Sequence, residues 1–142
     1  MCRINLNVAS RLTGKPTMTM HPHIPAPLAQ ALSNRKFTTL TPVQEAVLAD
    51  GLAGRDLLVS AQTGSGKTIA FGLALAPSLL GDADRLPQAG TPRALVIAPT
   101  RELALQVTRE LSWLYAPAGG RLTTCIGGMD MRDERRALGK GI

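Results

Sequence analysis

A chain of 142 residues, 44% of them hydrophobic, can bury one α/β core but has no room for a two-domain motor. Its 16 Lys and Arg outnumber 10 Asp and Glu, a formal net charge of +6 that suits a polyanionic partner, although five of the basic residues (Arg3, Arg11, Lys15, Arg35, Lys36) precede Glu45, the first acid. Cys2 and Cys125 lack CxxC spacing, which argues against a zinc site or a disulfide framework, and with no long apolar window or secretory core a soluble, cytoplasmic chain without membrane contact is expected.

Residues 1–22 form a basic leader, expected to be disordered rather than a nucleic-acid arm, with residues 23–142 making up the folded domain. A transit peptide, or an over-extended start before Met18 or Met20, would share the leader's composition. The spacing of Leu28, Ala31 and Leu32 predicts a short helix. Thr41-Pro42 marks the start of a second, with Pro at its first position, running through Val43, Val47 and Leu48 to Gly51. Leu57-Leu58-Val59 is a brief apolar run of the kind found in strands buried on both faces of a parallel sheet.

A Gly-rich loop follows, then a helix from Lys67 to about Leu80, kinked or ended by Pro77, and a polar loop from Gly81 to Pro92. Ala94–Ala98 repeats the buried-strand signature. Leu103, Val107, Leu111 and Leu114 recur at helical spacing through about Tyr115. Leu122–Ile126 reads as a third strand closed by Gly127-Gly128, and Asp130–Leu138 as a charged helix broken by Gly139-Lys140-Gly141. Strands alternating with helices in this order imply a parallel, doubly wound α/β sheet.

The loop Ala61-Gln62-Thr63-Gly64-Ser65-Gly66-Lys67-Thr68 lies between a strand and a helix, where successive backbone N–H groups and the helix N-terminus can surround an anion. Gly64 and Gly66 permit the curvature, Lys67 supplies charge for the β- and γ-phosphates, and the Thr68 hydroxyl is the candidate Mg²⁺ ligand. Lys67 and Thr68 are thus the candidate catalytic residues of a nucleoside-triphosphate site.

With these residues in hand, AQTGSGKT is similar to motif I of superfamily 2 helicases, and three further segments resemble the DEAD-box RNA helicases in order and spacing. Phe37 with Thr41-Pro42-Val43-Gln44 resembles the Q motif; the resemblance implies that Gln44 reads ATP and that Phe37 packs on the adenine face. Pro99-Thr100-Arg101-Glu102-Leu103-Ala104 resembles motif Ia, which in this family contacts the RNA sugar-phosphate backbone. Gly127-Gly128 resembles the GG motif, where absent side chains allow a close approach to nucleic acid. The implied fold is a RecA-like P-loop NTPase sheet, of which this sequence would hold the N-terminal half. The implied cofactors are ATP and Mg²⁺, and the implied partner is RNA.

Two departures stand against the pattern. No Phe, Tyr or Trp precedes Phe37, where the family commonly carries another aromatic. No Asp-Glu-Ala-Asp occurs in the 142 residues, so binding without turnover is the expectation for this stretch of chain. The competing readings are another small P-loop NTPase or kinase, and a non-catalytic nucleotide- or RNA-binding module.

Overall fold

The computed structural model describes residues 2–5, 21–128 and 130–142. Strand β1 (Cys2–Asn5) is followed by helices α1 (Ala26–Asn34) and α2 (Pro42–Ala46), strand β2 (Leu57–Ser60), and helices α3 (Lys67–Leu80), α4 (Arg101–Tyr115) and α5 (Met131–Gly139).

Strands β1 and β2 pair in parallel, Cys2 opposite Leu57 and Asn5 opposite Ser60. Part of the leader expected to be disordered is therefore a strand. The cause is the backbone of β2, whose N–H and C=O groups need a ladder partner, and β1 supplies one. The rest of that expectation, residues 6–20 with both the transit-peptide and late-start readings, lies outside the described residues.

The sheet departs further from the sequence-based expectation, because neither Ala94–Ala98 nor Leu122–Ile126 forms a strand. Leu95 is 85% and Ile97 84% exposed, whereas a strand of a parallel sheet is held by neighbours on its edges and by layers on both faces. No described segment supplies such neighbours. Beneath these stretches lies an open, mainly apolar cavity of about 340 Å³, with Val96, Leu111, Tyr115, Leu122 and Cys125 among its walls.

The core consequently sits between helices. α1 starts with Pro at its first turn and buries Leu28, Ala31 and Leu32. It closes where Lys36 adopts φ 59° and Phe37 N–H donates to Leu32 O at 3.1 Å. α2 begins at Pro42 as expected but ends at Ala46 rather than Gly51. Beyond it Leu48 and Ala49 bond back three residues, to Glu45 O and Ala46 O, and Leu48 O is taken by His23 Nδ1 at 2.8 Å. In α3, Pro77 falls in the last turns and the helix continues to Leu80.

α3 buries Ile69, Ala70, Leu73, Ala76 and Leu80, spaced three and four apart, against Leu111, Leu114 and Tyr115 of α4. Burial of Leu28, Leu73 and Leu114, each wholly enclosed, contributes about 2 kcal/mol apiece. Gly72 sets how closely the two helices approach: a Cβ there would lie 2.5 Å from Leu114 Cδ2 and 2.9 Å from Leu111 Cδ2. Tyr115 Oη donates to Gly72 O at 2.7 Å across the same contact.

Candidate functional site

The candidate phosphate loop runs from Ala61 at the end of β2 into the first turn of α3, the strand–loop–helix order expected from sequence. Gly64 has φ 77° and Gly66, the residue before the helix, φ 84°, so the loop turns through a left-handed conformation that glycine adopts without strain. Lys67 folds back over the loop and its Nζ donates to Ala61 O at 2.7 Å and Gln62 O at 2.6 Å. The ammonium is thereby fixed over the bend, where an anion would meet it. Thr68, the next residue, is half-buried in the first helical turn, while Gln62 and Thr63 are exposed.

The Q-motif residues close on the same loop from the other side. Among the described residues, Gln44 is the one polar non-aromatic side chain in the buried core, at 1% exposure. Its Oε1 accepts from Thr41 N–H at 3.0 Å, one half of a capping box at the start of α2, and its Nε2 donates to Gly66 O at 3.3 Å. The reciprocal half is not made at bonding geometry, since Thr41 Oγ1 is buried without a partner. Ser65 Oγ is likewise buried without a partner among the described residues. A Cβ on Gly66 would come within 2.5 Å of Gln44 Nε2, so this glycine is required for the contact as well as for its dihedral. Pro42 is the first residue of the helix and is exposed.

Phe37 stands apart from that cluster. Its ring stacks on Trp113 of α4, with centroids 5.8 Å apart and planes 29° from parallel, and the Arg35 guanidinium lies 5.0 Å from the centre of the same indole. One face of Phe37 is thus occupied by protein. Reading the sequence missed this stack; its signal was the single tryptophan, placed off the Leu103, Val107, Leu111 and Leu114 stripe.

A second cluster joins segments 26 residues apart. Thr100 caps α4, its Oγ1 accepting from Leu103 N–H at 3.2 Å, which leaves the hydroxyl proton free to donate outward. Arg101 Nη2 donates to Gly127 O at 2.6 Å and would lie 3.2 Å from a Cβ on Gly128. The two candidate RNA-contacting motifs therefore form one exposed surface, with Pro99, Thr100, Arg101, Gly127 and Gly128 all open to solvent. The sequence placed Arg101 in the motif Ia-like segment but not in contact with the glycine pair; the guanidinium holds the glycine loop.

Comparison with known proteins bears on the family and the fold. The family model for DEAD/DEAH box helicase matches residues 41–142. The chain is similar to the chloroplastic DEAD-box ATP-dependent RNA helicase 3B of Zea mays, 44% identical over 122 residues covering 84% of this chain and 16% of that protein. It is similar also to the ATP-dependent RNA helicase RhlB of Xanthomonas oryzae, 41% identical over 81% of this chain and 20% of the relative. Among solved structures, the RNA helicase Prp28 of Chaetomium thermophilum bound to ADP superposes with a TM-score of 0.72 at 31% identity, covering 89% of this chain and 31% of that one. The 142 residues thus span about a sixth to a fifth of the length of these curated relatives. The fold is that of a RecA-like helicase domain in part, and the chain belongs to the DEAD/DEAH box helicase family.

Proposed function

We propose that this chain is the nucleotide-binding and RNA-gripping part of an ATP-dependent RNA helicase, holding Mg·ATP on the Ala61–Thr68 loop and an RNA backbone on the Thr100–Gly128 surface. The observation that carries the first half is the loop itself, with Lys67 clamped over its bend and Gln44 bonded to its exit. The loop's chemistry fits a triphosphate: left-handed glycines, a lysine and a helix N-terminus favour anions. The unpartnered Ser65 Oγ adds a further polar atom at the bend.

Thr68 is the residue to hold Mg²⁺. Among the described residues no group of three His, Cys, Asp or Glu forms a ready-made cage, so the ion would share its coordination with phosphate oxygens and water. Bound there, Mg²⁺ would neutralise phosphate charge. Gln44 already uses one N–H and one lone pair within the protein, so adenine would compete for the remaining pair, or displace the Gly66 bond. Base recognition and loop shape are then linked through a single side chain. Without an Asp-Glu-Ala-Asp segment, these residues by themselves bind and release nucleotide but do not hydrolyse it.

The RNA half rests on the Arg101–Gly127 bond, which presents Thr100 and two side-chain-free residues on one exposed surface suited to sequence-independent backbone contact. Displacement of a fluorescent ATP analogue by ATP and by GTP tests the nucleotide reading. ATP should compete better than GTP, and Gln44→Ala should narrow the difference. Equal competition in the unmodified chain would remove Gln44 from base recognition.

A further inference from the structure

Helix α5 carries no buried residue and begins three positions after Gly128. Arg132 and Arg136 on it and Lys140 capping its C-terminus recur every fourth residue, with Arg135 beside them, a predominantly basic stripe that also includes Asp133. Two of the three acids in this stretch are held by backbone N–H groups rather than by these cations. Asp130 Oδ1 accepts from Arg132 N–H at 2.8 Å as the helix cap, and Glu134 turns inward, its Oε1 accepting from Ile126 N–H at 2.8 Å; Asp133 alone makes no such bond. The Glu134 bond also ties α5 to the Leu122–Ile126 segment that ends in the glycine pair. Arg121 Nη1 donates to Lys140 O at 3.4 Å and brings a further cation to the far end.

A charged helix face is ordinarily a solvated face stitched by ion pairs, but here the pairs are missing. Among the described residues the only ion pair at contact distance is His23 with Asp50, on another part of the molecule, so none of these basic side chains touches a carboxylate. A row of cations without contacting carboxylates keeps its donors available to an external polyanion. Successive stripe residues rise by about 6 Å, the same order as the phosphate spacing of an extended strand. In the chain the row begins four residues after Gly128.

From this we infer that the Arg132–Arg136–Lys140 stripe of α5 extends the RNA track beyond the glycine loop, gripping phosphates of a single strand that has already been engaged at Thr100–Gly128. This rests on the RNA reading of that surface. The test is anisotropy of labelled hexauridylate and of long poly(U) against salt, on the full chain and on Arg132→Gln/Arg136→Gln/Lys140→Gln. Glutamine keeps the helix propensity of the residues it replaces, and all three positions are exposed.

For long poly(U) the triple variant should lose roughly tenfold or more in affinity at low salt, and its salt slope should fall by about 2, the release expected for three single-strand phosphate contacts. Hexauridylate affinity should be unchanged, and Arg132→Lys/Arg136→Lys should bind poly(U) as the original does. An unchanged slope for poly(U), or an equal loss for hexauridylate, overturns the stripe while leaving the Thr100–Gly128 reading standing. A loss just as large for polyglutamate would show an indiscriminate acidic-peptide surface and overturn it too. Failure of the unmodified chain to bind hexauridylate overturns the underlying RNA reading itself.

Discussion

Gly66 carries two demands that no other residue meets. Its φ of 84° costs a residue with a Cβ about 1–2 kcal/mol, and that Cβ would collide with Gln44 Nε2. Gly66→Ala should therefore weaken Mg·ATP binding at least tenfold and lower the melting temperature; full-strength binding by this variant would show that the Gln44–Gly66 contact is dispensable. Gln44 has a structural weight separate from any role toward adenine. Gln44→Ala leaves the Thr41 N–H without its partner in a closed part of the fold, a loss of about 1–3 kcal/mol that a urea midpoint would register. Both residues were singled out in the sequence, since a strand, a glycine loop and a helix that follow one another need only local geometry. Their bond to each other, across 22 residues, was not legible, because no spacing rule states which loop carbonyl a buried amide meets.

At the level of elements, α3 and α4 are joined by Gly72 and Tyr115. Gly72→Ala should push the helices apart and cost about 1–3 kcal/mol, as overpacking of a filled core does. Burial pushes the Tyr115 hydroxyl far above the ordinary tyrosine value of 10.0. An acid whose folded-state value is raised holds its contribution below the unfolded value and loses it as pH rises past that point. Stability should then be level through neutral pH and decline above pH 10.0, and Tyr115→Phe should blunt that decline while costing about 1 kcal/mol at neutral pH. A melting series that declines equally in both proteins would assign the effect to other groups. Among the described residues, α3, α4 and α5 were legible with near-correct bounds, and α1 as a short helix, from apolar spacing and Pro or Gly punctuation. α2 was over-extended because its last residues keep an apolar pattern while bonding three apart, and because the His23 bond to Leu48 O is non-local.

For the whole molecule, the apolar runs at 94–98 and 122–126 were expected to be strands of the sheet and are not, because a parallel ladder needs partners that local sequence does not specify. Leu95 and Ile97 stand in solvent as a result. Such a run is a site for association. Sedimentation velocity should show concentration-dependent self-association of the chain, suppressed by Leu95→Lys/Ile97→Lys; monomeric behaviour of the unmodified chain at all concentrations would contradict this. Neither helix-only packing nor the exposed run alters the strand–loop–helix unit on which nucleotide binding depends. Calorimetric titration with Mg·ATP decides that point: the chain should take up one equivalent, and Lys67→Ala, which removes the loop's clamped ammonium, should bind at least tenfold more weakly. Absence of binding by the folded, unmodified chain, or equal affinity in Lys67→Ala, would show that the Ala61–Thr68 loop is not a triphosphate site.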